Sequence, residues 1–473
     1  MFGIARRGSR TFAIALTLLV GACSVDTNQE RPNLEIPATW RGEPAQSPAW
    51  PSTDWWRGFG SPELDSLIAQ AQAGNLDLAA AAARVRQADA QTRIAGAALL
   101  PAIGLGGGVS RVRQPASSIS GTSSRDRTFT LYDAQISASY EIDFWGKNRA
   151  GVEAAKATAQ ASRYSEATVA LTTVTSVAIT YFQIVELRDQ IAVTEANLAS
   201  AESILKALQA QEAAGTVTAL DVAQQETTVA TLQAEIPPLQ QQLRQFINAL
   251  AILIGKAPQF VDVDSGALAD LSYPTVVPGL PSELLARRPD VAMAEAQLRS
   301  ANANVTVARA AFFPSVQLTA QGGFESTALS SLFGPAGFLY TLAAGLTQPI
   351  FEGGRLKGQY QFTQAFYDEL LQDYRKSVIS AFQDTEDALV ATRQTAEQER
   401  RQQIAVDTAQ RAFDIANAQL RAGTITILTV LNTETALFTA QNTLLQVELA
   451  RLNAAVSLFK ALGGGWQPPP SNP

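Results

Sequence analysis

The chain of 473 residues contains no histidine, one cysteine and two methionines, one of them Met1. Without imidazole there is no Ser-His-Asp or Cys-His constellation, no histidine general base and no imidazole metal site. With so little sulfur, a thioether relay for soft metal ions lacks its ligands as well. Catalysis is left to Asp, Glu, Lys, Ser or Tyr alone, so an enzyme is the weakest reading, and no cofactor or resident metal is expected. The formal charge is −7 with no basic cluster, which argues against a nucleic-acid partner. Beyond the N-terminus no stretch approaches the roughly 20 consecutive apolar residues of a spanning helix. A membrane crossing after export then takes the form of a closed β-barrel.

The single cysteine is informative by position. Arg6, Arg7 and Arg10 precede an apolar run from Phe12 to Val20, and Leu19-Val20-Gly21-Ala22 leads into Cys23. A basic segment, a short apolar run and small residues before a cut make a secretory signal peptide over residues 1–22. A cysteine directly after small residues resembles the lipobox of bacterial lipoproteins. That resemblance implies cleavage between Ala22 and Cys23 and a lipid (palmitate) anchor on Cys23. Ser24, where aspartate favours inner-membrane retention in that class, points to the outer membrane of a Gram-negative cell. The alternative is an ordinary signal peptide whose cysteine lies near the cut. Removal of residues 1–22 takes three arginines and no acid, which carries the formal charge from −7 to −10.

The chain repeats itself. Leu100-Pro101-Ala102-Ile103-Gly104-Leu105 returns as Phe313-Pro314-Ser315-Val316-Gln317-Leu318, and Ala214-Gly215-Thr216 returns as Ala422-Gly423-Thr424. Phe144-Trp145-Gly146-Lys147 returns near Phe351-Glu352-Gly353-Gly354-Arg355. Two long copies indicate gene duplication and pseudo-symmetry rather than a solenoid. The expected division is a lipid-anchored tether over 23–60, a first repeat over 61–264, a second over 265–462 and a flexible Gly/Pro tail over 463–473. Each repeat reads as helix, two strands and a long helical hairpin. Helices are predicted near 75–98, 148–213 and 217–254, and again near 284–311, 356–421 and 425–462.

Between the helices lie period-2 stretches. Tyr132, Ala134, Ile136, Ala138, Tyr140 and Ile142 form one face of a strand, and Asp133, Gln135, Ser137, Ser139 and Glu141 the other. Val316 to Phe324 and Phe338 to Leu346 repeat the alternation, and Ile103, Leu105 and Val109 mark the remaining strand. Tyrosines near both ends of an apolar face resemble the aromatic girdles of outer-membrane barrels. A soluble sandwich fits the same pattern. If the strands lie in lipid, four do not close a barrel, because single-chain membrane barrels begin at eight strands. Copies must then share one wall, and three chains give twelve strands.

Residues 148–213 contain no proline and one glycine, enough for a rod of about 100 Å at about 1.5 Å per residue. Ile184, Ile191, Leu198 and Leu205 recur every seven residues, as do Val222, Val229, Ile236, Leu243 and Leu250, and Leu431, Phe438, Leu445, Leu452 and Phe459. Leu232, Leu239, Phe246 and Leu253 read as a second stripe that offers a contact to another neighbour. Such repeats impose left-handed supercoiling, and a plain coiled-coil lipoprotein scaffold fits them too. Pro237-Pro238 is expected to break or kink one of these helices. Gly215 and Gly423 allow the left-handed backbone of a tight turn. Asp384, Glu386 and Asp387 read as a solvated acidic face, with a metal pair as the weaker option. Trp50, Trp55 and Trp56 are expected to pack the tether onto the body.

Leu280-Pro281-Ser282-Glu283-Leu284-Leu285-Ala286-Arg287-Arg288-Pro289-Asp290-Val291, followed by Ala310-Ala311-Phe312-Phe313-Pro314-Ser315, is far more specific. It resembles the TolC-like outer-membrane factors, in their lipoprotein (NodT-type) branch. The resemblance runs from about residue 50 onward. It implies a mainly α fold with membrane β-structure, in which two tandem repeats supply long coiled-coil helices for a periplasmic α-barrel. It also implies four strands per chain in a homotrimeric twelve-stranded β-barrel set in outer-membrane lipid. The implied partners are a periplasmic adaptor (membrane fusion protein) and an inner-membrane pump of the resistance–nodulation–division class. The adaptor is expected at the tips, Gly215, Thr216, Gly423 and Thr424. The family often carries acidic residues at its periplasmic constriction. The matching positions here are Thr429 and Asn432 on the second hairpin and Asp221 on the first. Asp221, Leu428, Thr429, Leu431 and Asn432 are therefore the expected lining of the closed end, while Asp221 reads equally as a solvated residue beside a turn. The expected function is the outer-membrane duct of a tripartite efflux system for drugs or other small toxic molecules. A duct for an ABC-type protein secretion system is the runner-up.

Overall fold

The computed structural model describes residues 35–41, 50–114, 127–263 and 266–468. The expected signal peptide, Cys23 and the end of the tail from residue 469 lie outside the described residues.

Seven principal helices and four strands follow in the order α1 (Pro62–Gly74), α2 (Leu76–Ala97), β1 (Ala102–Gln114), β2 (Arg127–Ile142), α3 (Lys147–Ala213), α4 (Ala219–Leu253), α5 (Pro289–Ala310), β3 (Ser315–Ser326), β4 (Phe338–Thr347), α6 (Arg355–Arg421) and α7 (Ile427–Ala461). The duplication is numerically close. Helices α3 and α6 both have 67 residues, and α4 and α7 both have 35. Each long helix returns on its partner through a short glycine turn.

The chain divides into two compact units. Neither is a sequence repeat, because each draws residues from both halves. The first contains 85–161 and 294–374 and holds the sheet. The second contains 50–84, 162–293 and 375–468 and holds the hairpins and the main apolar core.

In the first unit the four strands form one antiparallel sheet, ordered β1-β2-β3-β4. Register decides its character. Ile103 lies opposite Ala138, Ala138 opposite Ala320, and Ala320 opposite Leu342. Leu105 lies opposite Ile136, and Tyr140 opposite Leu318. Residues directly opposite each other share a face, so the apolar faces of all four strands coincide. That face is open: Leu105 is 83% and Leu342 75% exposed. Gln135, Ser137, Ser139, Gln317, Thr319 and Gln321 line the other face. Among the described residues β1 pairs only with β2, and β4 only with β3, which leaves two edges unmatched in the chain.

In the second unit the core is aromatic at its centre. Phe59 and Phe182 are fully buried with ring centroids 5.0 Å apart, and Trp55 stacks on Phe459 at 4.8 Å. The tryptophan stretch is packed, with the Arg287 guanidinium 4.4 Å above the Trp50 ring.

Four expectations need correction. One window of α3 is apolar and long enough to cross a membrane by composition, yet over half of it is buried in the fold. Helix α4 runs unbroken through Pro237 and Pro238, both on its exposed side. The chain does not loosen at Gly463. A Cβ on Gly463 (φ 84°) meets the Arg287 carbonyl oxygen, and Trp466 packs edge-on against Tyr164. The two stripes on α4 are one seam, since Val229 and Leu232 bury against the same Ala201. Positions three apart on a helix are neighbours, so they serve one contact rather than two.

Candidate functional site

The two hairpin ends are copies of one design. Gly215 (φ 75°) donates its N–H to Glu212 O at 2.8 Å, and Thr216 N–H reaches Gln211 O at 3.0 Å. Gly423 (φ 72°) and Thr424 repeat this on Leu420 O at 2.9 Å and Gln419 O at 3.0 Å. This is the Schellman arrangement, in which a left-handed glycine lets two backbone donors satisfy the last carbonyls of a helix. Gly215, Thr216, Gly423 and Thr424 are all exposed.

The starts of the returning helices differ. At α4 the Thr218 hydroxyl caps Asp221 N–H, while Asp221 Oδ2 accepts from Thr218 N at 2.8 Å and from Thr218 Oγ1 at 2.7 Å. These bonds hold the Asp221 carboxyl below its usual range. Asp221 is thus a half-buried member of a capping box. At α7 the matching residue is Thr429, and the Thr426 N-cap makes no side-chain cap. Leu428, Thr429 and Asn432 are exposed, whereas Leu431 packs half-buried against the tip cluster. The structure therefore brings Leu428, Thr429 and Asn432 to one open surface and ties Asp221 into its own turn.

Behind the tips the hairpins share a seam. Ile204 and Leu208 of α3, Val222 of α4, Phe413 and Ala416 of α6, and Ile427, Val430 and Leu437 of α7 form one buried cluster. On α3 the buried line is Thr194, Asn197, Ala201, Ile204 and Leu208, with alternating spacings of three and four. The stripe expected there, Ile191, Leu198 and Leu205, lies on its half-buried flank.

Polar side chains occupy seam positions, and sequence reading passed over them. Asn197 Nδ2 donates to Gln441 Oε1 at 3.0 Å, joining the two hairpins. Gln225 is fully buried, and Glu434 is 4% exposed. Glu434, Gln441 and Glu448 stand seven apart, which was the available signal. Burial pushes Glu434 up to about 7. Further along, burial together with neighbouring Glu399 and Asp189 raises Glu448 to about 7, and burial with Asp189 does the same to Glu186. Arg451 neutralises part of this group, pairing with Glu399 Oε1 at 2.9 Å and covering the Tyr273 ring at 3.7 Å.

The acidic face on α6 is engaged rather than merely solvated. Asp384 accepts from Arg288, and Glu386 Oε1 accepts from Arg41 N at 2.9 Å. Among the described residues no three acids gather in a metal-holding group. These arrangements position and pack the chain. What they build is a two-faced sheet and a pair of long hairpins.

Known proteins agree. The family described as "Outer membrane efflux protein" matches residues 67–256 and 280–464. The chain is 43% identical over 460 residues to the pyoverdine export outer membrane protein OpmQ of Pseudomonas putida, covering 96% of this chain and 97% of the relative. It is 34% identical over 473 residues to the toluene efflux pump outer membrane protein TtgF of Pseudomonas putida, covering 98% of each. A crystal structure of a membrane protein from Pseudomonas aeruginosa superposes with a TM-score of 0.86 at 29% identity, over 94% of this chain and 98% of that one. A two-faced sheet, duplicated hairpins and a family match over most of the length lead to one conclusion: the chain belongs to the outer membrane efflux protein family, and it is a channel of the outer membrane, not an enzyme.

Proposed function

We propose that three copies of this chain pool their sheets into a twelve-stranded barrel and form the exit duct of a tripartite pump for small organic molecules. The observation that carries this is the sheet itself, with four strands, an apolar face open over much of its area and, among the described residues, an unmatched edge on either side. Lipid does not tolerate open edges, and eight strands from two copies leave an interior that side chains fill. Three copies close the edges and leave the polar faces around a hollow. The names of the relatives, for pyoverdine export and toluene efflux, favour small organic cargo over protein cargo.

In this reading an inner-membrane resistance–nodulation–division pump supplies the energy, and a periplasmic adaptor seats on Gly215, Thr216, Gly423 and Thr424. Asp221, Leu428, Thr429, Leu431 and Asn432 line the closed end, and Cys23 carries the lipid. The test is reconstitution of the purified mature protein in planar bilayers. Trimeric mass and discrete conductance steps are expected, and a water-soluble monomer without conductance overturns the proposal. Single-channel recording of Asp221→Ala checks the lining: reduced cation preference supports it, and unchanged conductance and preference remove Asp221 from it. Mass spectrometry of the mature N-terminus decides whether Cys23 is acylated.

A further inference from the structure

In the second unit the tether and the C-terminal segment close on the same stretch of chain, residues 279–288. Trp40 of the tether is buried, and its indole N–H donates to Gly279 O at 2.7 Å, across 239 positions of sequence. Its ring stands edge-on to Phe382 of α6 with centroids 6.1 Å apart, and the backbone N–H of Arg41 donates to Glu386 Oε1 at 2.9 Å. Further on, Trp50 lies under the Arg287 guanidinium and against Gly279, where an added Cβ comes within 2.5 Å of the indole. All of these partners come from beyond residue 278, although the tether leads directly into α1. Arg288, bonded to Asp384, joins the same two elements that the tether touches.

The C-terminal segment arrives at the same place. Gly463, Gly464 and Gly465 all have left-handed backbone, with φ 84°, 56° and 77°. A Cβ on Gly463 meets Arg287 O, one on Gly464 meets Leu171 and Trp55, and one on Gly465 meets Ser52 O. Three successive positions thus refuse a side chain both by backbone angle and by lack of room. Just ahead of them Phe459 stacks on Trp55, and Ala461 O accepts from Arg288 Nη1 at 3.4 Å. The glycine run is wedged against 52–55 and 287–288 at once, so lifting either end of the chain removes a wall from the other.

We propose that this contact is an interlock: the C-terminal glycines keep the tether seated, and the seated tether sets the leash of the anchored N-terminus. With Trp40 seated, the 17 residues from Ser24 to Trp40 span at most about 60 Å. With the tether lifted back to Phe59 in the core, the 36 residues from Ser24 to Phe59 span about 125 Å. The interlock therefore about halves the distance at which this unit can stand from the lipid that holds its N-terminus. The leash rests on the reading of Cys23 as the acylated residue, and the interlock does not.

The experiment is limited trypsin digestion of the intact mature protein in lipid nanodiscs, with release of peptide 23–41 followed by mass spectrometry. Arg31 precedes Pro32 and resists trypsin, so the peptide leaves whole after Arg41. Cleavage tracks the fraction of tether that is open. Gly465→Ala, at the other end of the chain, is expected to speed this release at least about tenfold. Coupling is reciprocal, so Trp40→Ala is expected to raise amide hydrogen exchange over 459–467 by a similar factor. Thr218→Ala weakens a remote helix cap and is expected to leave both readouts at their wild-type rates, which separates the interlock from a general loss of stability. Release from the wild type as fast as from the urea-unfolded chain overturns the interlock. Unchanged exchange over 459–467 in Trp40→Ala overturns it equally, and that variant removes a side chain outside the main apolar core, so the fold does not depend on it. The mass of peptide 23–41 reads the anchor separately: acyl chains on Cys23 support the leash, and an unmodified cysteine overturns it while the interlock stands or falls on the release and exchange rates.

Discussion

Arg288 Nη2 donates to Asp384 Oδ2 at 2.9 Å, fastening the start of α5 to the middle of α6, 96 residues further along the chain. The same guanidinium forks onto Asp290 through Nε at 3.0 Å and Nη2 at 2.7 Å, and its Nη1 reaches Ala461 O at 3.4 Å. Burial disfavours the charge, but the two carboxylates outweigh it and raise the Arg288 pKa, while Asp290 is held low. Arg288→Ala is expected to destabilise the folded protein by about 3 kcal/mol, since it leaves two carboxylates without their partner. Arg288→Lys keeps the charge but not the fork, and is expected to fall between. Urea unfolding followed by helical circular dichroism measures both.

The capping box at Thr218 and Asp221 makes a pH-dependent claim. Thr218→Ala is expected to cost about 1 kcal/mol and to fray the first turn of α4. Because the folded state depresses the Asp221 carboxyl below its ordinary 3.8, the contribution of Asp221 is present at neutral pH and disappears as the solution is acidified below that value. Hydrogen exchange in residues 218–224 at pH 7 and pH 3 reads this directly, with Asp221→Asn showing little difference between the two.

At Gly215 a Cβ meets nothing within 4 Å, so the penalty of a side chain is purely that of φ 75°. Gly215→Ala and Gly423→Ala are each expected to cost about 1 kcal/mol through the left-handed backbone. Heat-denaturation midpoints drop modestly in each, and the double variant shows nearly additive losses.

The two faces of the sheet should respond oppositely to charge. Leu342→Lys places an ammonium on the apolar face and is expected to cost about 2–4 kcal/mol of insertion free energy. Gln321→Lys, on the polar face one position away from Ala320, is expected to insert normally. Refolding yield into lipid vesicles, scored by heat-modifiable gel migration, separates them. Equal yields would place the apolar face away from lipid.

Much of this fold was legible because its determinants are local. Helix lengths follow from long stretches without interior breakers, and the hairpin ends from Gly215 and Gly423. The apolar sheet face follows from a side-chain period of two. Pro237-Pro238 misled because helix-breaking propensity is a local penalty that surrounding packing overrode. The α4 stripes misled because periodicity tells how apolar residues are spaced and not which neighbour they meet.

The linear sequence by itself determined the element order, the duplication, the exclusion of imidazole chemistry and the family, each written in residues close together in the chain. Tertiary structure alone decided that Asn197 meets Gln441 and that Arg288 reaches Asp384. These residues sit at ordinary helical positions with nothing nearby to announce a partner. Desolvation and hydrogen-bond satisfaction belong to the space around an atom, and that space exists only once distant helices have closed over it.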